Sequence, residues 1–384
     1  MGMHNHLGVE ELGGRAWIEL DIGALAHNVK QLQKRLPVEC HLMPAIKANA
    51  YGHGATIIGK ELNRLGIRTF CVASVYEGVE LRQNRVKGEI LILGYTHAEQ
   101  FHLIKKYHLT QTLVDYEYAK ELNQYGKKCN VHLLLDTGMH RLGERVEHME
   151  RIYAMFQMKN LRIKGIYSHL CASDGNKDEE VAYTLKQIEV FEKTLMELKS
   201  QGIQLPSTHL LASYGVINYP NYSGDYVRVG IALYGLLSTK EDGANCRLPL
   251  KSVLSIKSRV VSIRKLAKDE AAGYGLAYIA PEEKTIAAIS IGYADGVPRD
   301  LSGGKGSVLI RGQVAPIIGR VCMDQMIVDI SNIRLVKRGD EVVIVGKSGN
   351  LEITVCDIAE QVGTISNEII SRLGARLERR VIKA

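Results

Sequence analysis

Eight short apolar segments constrain the fold of this chain more than any other feature of its sequence. They have the length and composition of buried strands and comprise residues 41–47, 69–74, 89–94, 110–115, 131–137, 162–169, 208–213 and 226–235. Helical periodicity separates most of them; after Asp21, for example, apolar residues recur at steps of three and four. Eight strands alternating with helices favour a (β/α)8 barrel, although an open doubly wound sheet has the same alternation.

The pattern changes after residue 236, beyond a linker rich in turn residues. Apolar residues there alternate more nearly at every second position, as in residues 252–263 and 341–346, which is typical of antiparallel strands. We therefore predict a flexible leader over 1–15, a barrel over 16–240 and a mainly antiparallel β domain over 241–384. The first strand, 16–21, could pack with the C-terminal domain instead of the barrel.

Composition argues against several classes of protein. No run of eighteen apolar residues is present, so no segment has the length to span a bilayer. The seven cysteines are odd in number and lack CxxC spacing, which indicates a reducing cytoplasm and no disulfide framework or metal site. The net charge is +7, but basic residues are mostly interleaved with acidic ones, which indicates a solvated surface and no nucleic-acid partner.

A single cation closes the first apolar segment. Lys47 precedes Tyr51 and two glycines, and side chains at the C-terminal ends of barrel strands face the active site. Burial there disfavours the charged form of a lysine and suits Schiff-base chemistry with pyridoxal phosphate, whereas the alternative is an ordinary solvated lysine. A phosphate would need hydroxyl and backbone N–H groups, and the loops after strands seven and eight carry Ser213 and Gly230 with Ile231.

Seven motifs then occur in order along the chain. They are KANAYGHG (47–54), DTGMHRLG (136–143), YSHL (167–170), RVGIALYG (228–235), GYGLAY (273–278), IGYADG (291–296) and GRVCMDQ (319–325). The first resembles the cofactor-lysine signature of the alanine racemases, which are fold type III pyridoxal 5'-phosphate enzymes. The other motifs resemble family motifs in the family's order, and the likeness extends from residue 16 to the C-terminus.

The resemblance implies racemisation of an amino acid by two bases, one on each side of the α-carbon. Lys47 would hold the cofactor and serve the D-enantiomer, and Tyr274 would serve the L-enantiomer. A free tyrosine titrates near pH ~10, so it needs cations nearby, and the family suggests His209 and Arg228. In this family the tyrosine enters the site from the partner subunit, which implies an obligate homodimer with a shared active site.

The resemblance also implies further contacts. The cofactor contacts are Lys47, Tyr51, His169, Ser213, Arg228, Gly230, Ile231 and Tyr234. The substrate contacts are Arg141, the backbone N–H of Met323, Asn367 and Tyr293, with His209 and Asp324 in supporting positions. Arg228 would face the pyridine nitrogen. Several of these residues also have a plain structural explanation; Arg141, for example, could be a surface ion-pair partner.

Two positions depart from the family pattern. Leu134 stands where many members have a carbamylated lysine that holds the substrate-binding arginine, and Asn367 stands where a tyrosine caps the pocket. Asparagine is smaller and offers both a donor and an acceptor, so we expect it to admit a serine hydroxyl. The combination resembles the membrane-bound serine/alanine racemases of vancomycin-resistance clusters, in which the racemase domain follows a membrane domain.

The sequence therefore predicts a racemase of serine and alanine that supplies D-amino acids for peptidoglycan precursors, with a link to vancomycin resistance. We expect a cytoplasmic protein, or the cytoplasmic domain of a membrane-anchored one. The leader fits a domain excised from such a longer chain. Three alternatives stay open: a plain alanine racemase, a decarboxylase with a related barrel, and a non-catalytic pyridoxal-phosphate carrier. Decarboxylases lack the GYGLAY motif, and carriers are usually lone barrels.

Overall fold

The structure, a computed structural model, describes residues 14–382, which divide into two compact units. The barrel unit comprises Gly23–Leu237 and Glu241–Ser252. The sheet unit comprises the described residues up to Ile22, then Ser238–Lys240 and those from Val253 onward. Most of the leader predicted over 1–15 lies outside the described residues.

The elements of the first part of the chain alternate as the sequence predicts. In order they are β1 (Ala16–Asp21), α1 (Ile22–Gln33), β2 (His41–Leu42), α2 (Lys47–Tyr51), α3 (Ala55–Arg64), β3 (Thr69–Val72), α4 (Val75–Gln83), β4 (Glu89–Ile92), α5 (Phe101–Lys106), β5 (Thr110–Leu113), α6 (Tyr116–Gln124), β6 (Cys129–Asp136), β7 (Glu144–Arg145), α7 (Met149–Phe156), β8 (Leu161–Tyr167), α8 (Asp178–Ser200), β9 (Ser207–Ala212), α9 (Ser213–Asn218), β10 (Tyr226–Arg228) and α10 (Lys240–Asn245).

Parallel pairing joins these strands into a ring. Within the described residues the order is β2-β10-β9-β8-β6-β5-β4-β3, and β7 pairs with β6 beside this path. Just beyond β2, Ala45 bridges Cys71 of β3; the Cys71 N–H donates to the Pro44 carbonyl at 2.8 Å and the Ile46 N–H to the Cys71 carbonyl at 2.9 Å. These bonds bring the two ends of the sheet together. The predicted (β/α)8 barrel is therefore confirmed, and the open sheet is wrong.

The barrel interior mixes apolar and polar side chains. Ile90, Leu91 and Ile92 of β4 are fully buried, as expected for a parallel strand covered on both faces. His132 and His209, however, are also buried. Buried polar groups persist only where hydrogen bonds satisfy them, so these histidines indicate a hydrogen-bonded polar network inside the barrel.

The later elements form the sheet unit with β1. They are β11 (Leu254–Leu266), β12 (Ala271–Ala272), β13 (Tyr278–Ile279), β14 (Lys284–Ile289), β15 (Ser307–Ile310), β16 (Gln313–Ile318), β17 (Met326–Asp329), β18 (Glu341–Ser348), β19 (Leu351–Ile353), α11 (Val355–Val362), α12 (Ser366–Ser371) and β20 (Glu378–Ile382).

The main sheet of this unit runs β19-β18-β15-β16-β17-β14-β11-β1-β20, and β18 also pairs with β11. Its pairs are antiparallel except β1 with β20, while β12 and β13 form a separate hairpin. Burial alternates along β11 from Leu254 to Val260, because one face of each strand packs inward. The predicted antiparallel domain is confirmed. None of the helices within residues 14–382 is both long and apolar enough to cross a bilayer.

Candidate active site

Lys47 begins a short helix of the opposite hand to ordinary α-helices. Ala48, Asn49, Ala50 and Tyr51 all have φ between +50° and +54°. The left-handed conformation costs an L-residue about 1–2 kcal/mol, so four in succession persist only where the surroundings hold them. The turn fixes the backbone beside Lys47 at the C-terminal end of the first barrel strand.

Two side chains hold this left-handed turn. Glu77 closes a capping box with Ser74 at the start of α4, and its Oε1 also accepts a hydrogen bond from the Ala48 N–H at 2.7 Å. Asn49 Oδ1 accepts from the Ala55 N–H at 2.8 Å and so begins α3. The residue next to Lys47 is thus tied to a neighbouring barrel unit.

The surroundings of Lys47 favour a neutral amine. Burial lowers the pKa of the Lys47 amine below its ordinary value of 10.5, and the positive charge of Arg141 lowers it further. Arg228 acts in the same direction more weakly, against the opposing effects of Cys71 and Glu77. At any given pH, a larger fraction of this amine is therefore neutral and nucleophilic than of a solvated lysine.

Arg228 lies buried at the end of β10. Its Nη2 donates to the carbonyls of Ser168 and Leu210 at 2.7 and 3.0 Å and lies 3.3 Å from His169 Nδ1. Its guanidinium carbon lies 4.8 Å from the centre of the Tyr167 ring. Within the described residues its Nε–H has no hydrogen-bond acceptor, so one donor of a rigidly held cation remains for a ligand.

A chain of buried histidines backs Arg228. Arg228 Nη1 donates to His209 Nδ1 at 2.7 Å, and His209 Nε2 lies 2.8 Å from His132 Nδ1. His132 Nε2 in turn lies 3.1 Å from Glu89 Oε1. Because Nδ1 of His209 accepts from Arg228, neutral His209 carries its proton on Nε2 and donates a hydrogen bond to His132 Nδ1.

This geometry corrects the expectation that His209 is a cation. His209 is fully buried, and burial holds the pKa of its imidazole well below 6.5, with Arg228 adding to the effect. His209 is therefore neutral near pH 7. The positive charge in this part of the barrel belongs to Arg228, and His209 positions it. His169 is also neutral, because burial and Arg228 lower the pKa of its imidazole to about 3.

Ser213 and Gly230 form a narrow cradle on two adjacent loops. Ser213 Oγ accepts from the N–H groups of Gly230 and Ala232 at 2.9 and 3.3 Å and keeps its own proton for a ligand. The Ile231 N–H has no acceptor within the described residues. A Cβ added to Gly230 would lie 2.5 Å from the Tyr51 hydroxyl, so only glycine fits beneath this tyrosine.

Tyr234, one of the predicted cofactor contacts, packs beneath the turn that carries Lys47. Its side chain is fully buried, and its hydroxyl donates to the Ala45 carbonyl at 3.0 Å. The ring stacks on His53 at 4.3 Å and packs against Tyr51 at 5.2 Å. Tyr234 thus supports the Lys47 turn, because its ring packs against Tyr51 and its hydroxyl is bonded to the backbone carbonyl of Ala45.

Arg141 follows β6 and is exposed. Within the described residues it has no carboxylate within 4 Å, and Leu134, which replaces the family's lysine, packs in an apolar cluster with Met43 and Tyr167. Asp136 cannot take over the missing role, since its carboxylate accepts from the backbone of Gly138 and contacts His140. The guanidinium of Arg141 is therefore left to an anion from outside the chain.

The sheet unit brings four other predicted residues together. Tyr274 lies at the tip of the β12–β13 hairpin and lines a recess with Met323 and Asp324. The turn that begins at Tyr293 lies against the same loop, because its N–H donates to the Cys322 carbonyl at 3.0 Å. The N–H of Met323 has no acceptor within residues 14–382.

Asp324 and Asn367 each have a defined partner in this unit. Asp324 Oδ1 accepts from Arg376 Nη1 at 2.7 Å, and Arg376 also pairs with the fully buried Asp295. Asn367 lies on α12, where its Oδ1 accepts from the Ser238 hydroxyl at 3.0 Å. The Asn367 carbonyl is thus held in place.

Sequence reasoning missed three residues of the candidate site: Glu77, His132 and Glu89. Ser74 followed by Glu77 is a capping-box pattern that could have been read locally, although not its second contact to Ala48. His132 and Glu89 give no local signal. Their pairing depends on β4, β6 and β9 lying side by side in the barrel, which only the tertiary structure shows.

The barrel residues fit pyridoxal phosphate chemically. The Ile231 N–H and the Ser213 hydroxyl are donors for a phosphate, and the Tyr51 hydroxyl lies over Gly230 beside them. The Nε–H of Arg228 suits a ring nitrogen, and the amine of Lys47 suits a carbonyl carbon.

Comparison with known proteins identifies the family of this chain. Residues 20–238 match the model of the alanine racemase N-terminal domain, and residues 253–381 match that of the C-terminal domain. An amino-acid racemase from Enterococcus faecalis is 41% identical over 94% of this chain and 51% of its own length. A serine/alanine racemase from Enterococcus gallinarum is 39% identical over 96% of this chain and 51% of its own length. The chain thus spans about half the length of these relatives.

Solved structures give the same family. Alanine racemase from Clostridium difficile 630 superposes with a TM-score of 0.90 at 31% identity, covering 97% of each chain. Alanine racemase from Bartonella henselae, which carries covalently bound pyridoxal phosphate, superposes with a TM-score of 0.83 at 28% identity, covering 96% of this chain and 100% of its own. This chain therefore belongs to the alanine racemase family, whose cofactor is pyridoxal 5'-phosphate.

Proposed function

We propose that this chain is a pyridoxal-phosphate-dependent racemase that interconverts the L- and D-forms of serine and of alanine. One observation carries the proposal: an amine with a lowered pKa, a buried guanidinium with a spare donor and a phosphate cradle converge at one end of the barrel. The relatives named amino-acid racemase and serine/alanine racemase support it.

Lys47 is the base on one face of the substrate. Its lowered pKa leaves more of the amine neutral near pH 7, so its Nζ accepts the α-proton of the D-enantiomer. Pyridoxal phosphate supplies, when bound, the electron sink that makes this proton acidic enough to remove. The left-handed turn and Glu77 limit the movement of Lys47, which helps to direct Nζ toward a single face.

Arg228 keeps the electron sink weak. A guanidinium donates a hydrogen bond without giving up its proton, and the contacts of Arg228 to two carbonyls and His209 fix its orientation. Arg228 would hold the ring nitrogen of the cofactor through its remaining N–H, and a nitrogen that accepted this hydrogen bond would stay unprotonated. This arrangement favours returning the proton to the α-carbon over transamination.

Tyr274 is the proposed base on the opposite face and reaches the site from a partner subunit. Tyr274 is 70% exposed, and Leu276 and Met323 nearby are 69% and 53% exposed. Exposed apolar side chains grouped around a recess are typical of a surface that a partner covers. We infer an obligate homodimer in which Lys47 and Tyr274 of each active site come from different subunits.

Arg141 and the N–H of Met323 are the proposed partners of the substrate carboxylate. Arg141 has no carboxylate partner within residues 14–382, and no carbonyl accepts the Met323 N–H there. Both donors are therefore available to an anion. Tyr293 and Asp324 flank this position and hold its loop, Asp324 through Arg376.

Asn367 is the proposed determinant of serine as a substrate. Its carbonyl is engaged by Ser238, which fixes the amide plane and leaves the NH2 group to donate to a substrate hydroxyl. A polar partner for a hydroxyl rewards serine over alanine more strongly than added space alone. We expect Asn367→Tyr to lower the ratio of L-serine to L-alanine turnover by about tenfold or more.

The test measures kcat/KM for both enantiomers of serine and alanine by loss of optical rotation. The matched control is Asn332→Tyr, which makes the same change at an exposed loop position of the same unit. If Asn367→Tyr leaves the ratio unchanged, the substrate assignment is wrong, and a wild type active on alanine alone identifies a plain alanine racemase. A protein that binds pyridoxal phosphate and racemises no amino acid is a carrier.

The proposed biological role follows from the products. D-alanine and D-serine produced by such an enzyme supply peptidoglycan precursors, and D-serine precursors connect the chain to vancomycin resistance. The similarity to the Enterococcus gallinarum serine/alanine racemase supports this role. Loss of D-serine in cells that carry a Lys47→Ala variant is the corresponding measurement.

A further inference from the structure

One end of the barrel concentrates positive charge. Five successive connections that lead from a helix into the next strand carry nine lysines and arginines. They are Arg64, Arg68, Arg85, Lys87, Lys105, Lys106, Lys127, Lys128 and Lys159. All nine side chains are exposed. The same connections, residues 64–68, 84–88, 105–109, 125–128 and 157–160, contain no aspartate or glutamate.

The topology gathers these residues on a single face, here called the basic end. In a parallel barrel every helix-to-strand connection lies at the N-terminal end of the strands. The five connections enter β3, β4, β5, β6 and β8, which are consecutive neighbours in the ring. Lys47 lies at the opposite, C-terminal end. The cations are far apart in sequence, and acidic residues such as Glu77, Glu80, Glu117 and Glu121 lie between them. The sequence therefore looks evenly mixed in charge, although the folded barrel is not.

Little of this charge is neutralised by the protein. Within the described residues, Arg64 alone among the nine has a carboxylate within 4 Å, that of Glu61. Glu89, at the start of β4, turns inward to His132. The nine charges exceed the net charge of the whole chain, which is +7 at pH 7, so the rest of the molecule is close to neutral. The basic end is therefore a distinct electrostatic feature.

Apolar and aromatic groups accompany the cations. Lys106 and Lys127 lie 5.4 Å from the ring centres of Tyr107 and Tyr125. At the same end, Leu65 is 39% exposed, and Val38, in the connection that enters β2, is 92% exposed. Lysines beside tyrosines and protruding aliphatic tips are the pattern of surfaces that rest at the boundary of a lipid bilayer.

We propose that the basic end docks on an anionic phospholipid surface. The cations are spread over five adjacent connections around a barrel end, which matches a planar sheet of negative headgroups. A nucleic acid would instead favour cations along a groove with aromatic faces open for stacking, whereas Tyr107 and Tyr125 are partly buried beneath lysines. Docking in this orientation leaves the Lys47 end of the barrel facing away from the bilayer. The docking proposal therefore does not depend on the proposed racemase activity.

The experiment measures co-sedimentation of the full chain with vesicles. Wild type is compared with a variant that carries Lys87→Glu, Lys106→Glu and Lys127→Glu, one change in each of three connections. The matched control carries Lys268→Glu, Lys305→Glu and Lys337→Glu, which make the same change in net charge at exposed positions of the sheet unit. Thermal unfolding of all three proteins establishes that each is folded.

We expect wild type and control to bind vesicles that contain phosphatidylglycerol and not pure phosphatidylcholine vesicles. Each basic residue near an anionic surface contributes about fivefold to the partition coefficient, so the basic-end variant should bind at least about 100-fold more weakly. Binding should disappear between about 0.1 and about 1 M salt, because the Debye length falls from about 10 to about 3 Å.

Three results would overturn the proposal. One is equal binding of wild type and the basic-end variant, and another is an equal loss in the control, which would show a response to net charge alone. The third is tighter binding of wild type to duplex DNA than to anionic vesicles at the same salt concentration, which would assign the basic end to nucleic acid.

Discussion

Replacing Gly230 with alanine tests whether the close contact between this residue and the Tyr51 hydroxyl is part of the cofactor site. The new Cβ would lie 2.5 Å from the Tyr51 hydroxyl oxygen and 3.1 Å from the ring carbon that bears it. Carbon and oxygen atoms pack without repulsion from about 3.4 Å outward, so the hydroxyl must withdraw by about 0.9 Å. Tyr51 has little room to do so, because its ring packs against the buried Tyr234 and its backbone is in the left-handed turn beside Lys47.

The magnitude follows from the cost of overpacking a buried site. Such insertions cost about 1–3 kcal/mol. The part of this cost that the cofactor-free protein avoids by moving Tyr51 appears on binding as a loss of up to about 150-fold in affinity for pyridoxal phosphate. The affinity is measured by titrating the cofactor into cofactor-free protein and following the absorbance band of the lysine adduct. Thermal unfolding of the same samples separates a local change from a failure to fold.

Two further variants sharpen this test. Gly243→Ala is the control, because a Cβ at Gly243 would meet no atom within 4 Å. Tyr51→Phe in the Gly230→Ala background removes the atom that clashes, so the double variant should bind more tightly than the two single effects predict when added. An affinity of Gly230→Ala within twofold of wild type would refute the reasoning, since it would mean that the hydroxyl moves freely.

Three other predictions concern the bases and the histidine chain. Lys47→Ala and Tyr274→Phe should each be nearly inactive. Mixing the two variants under conditions that exchange subunits should restore about one quarter of wild-type activity, because half of the random dimers contain one intact site of two. No recovery of activity would contradict a shared site. His132→Leu leaves the buried N–H of His209 without an acceptor and should lower the free energy of unfolding by about 1–3 kcal/mol, measured by chemical denaturation. A loss below about 0.5 kcal/mol would argue against the hydrogen-bonded chain of histidines. Below pH 6.5, His209 binds a proton in the unfolded protein and not in the folded one, so the free energy of unfolding should fall by up to about 1.4 kcal/mol per pH unit of acidification. His209→Asn should flatten this dependence of the free energy of unfolding on pH. An unchanged dependence would show that His209 is not held neutral.

Most of the fold could be predicted because its signal is local. The eight apolar segments correspond to the eight barrel strands of the described chain, and the alternation after residue 253 corresponds to the antiparallel sheet. What periodicity alone could not decide was closure of the ring, which depends on hydrogen bonds from Cys71 of β3 to Pro44 and Ile46, just beyond β2.

The candidate site divides in the same way. Lys47, Ser213 and Gly230 could be predicted from the sequence, because each lies in a local motif beside glycines or at the end of a predicted strand. The protonation state of His209 and the buried position of Tyr234 were not predictable, since they depend on side chains far away in sequence.

The sequence by itself determined the eight apolar segments of the barrel, the alternation of the later strands, the order of the motifs and hence the family. Only the tertiary structure decided which groups meet: Glu77 with the N–H beside Lys47, Glu89 with His132, and nine scattered cations on one end of the barrel. The physical reason is the range of the interactions. Backbone propensity and hydrophobic periodicity act between neighbours in the chain, whereas burial, hydrogen-bond satisfaction and surface charge depend on which strands the ring places side by side.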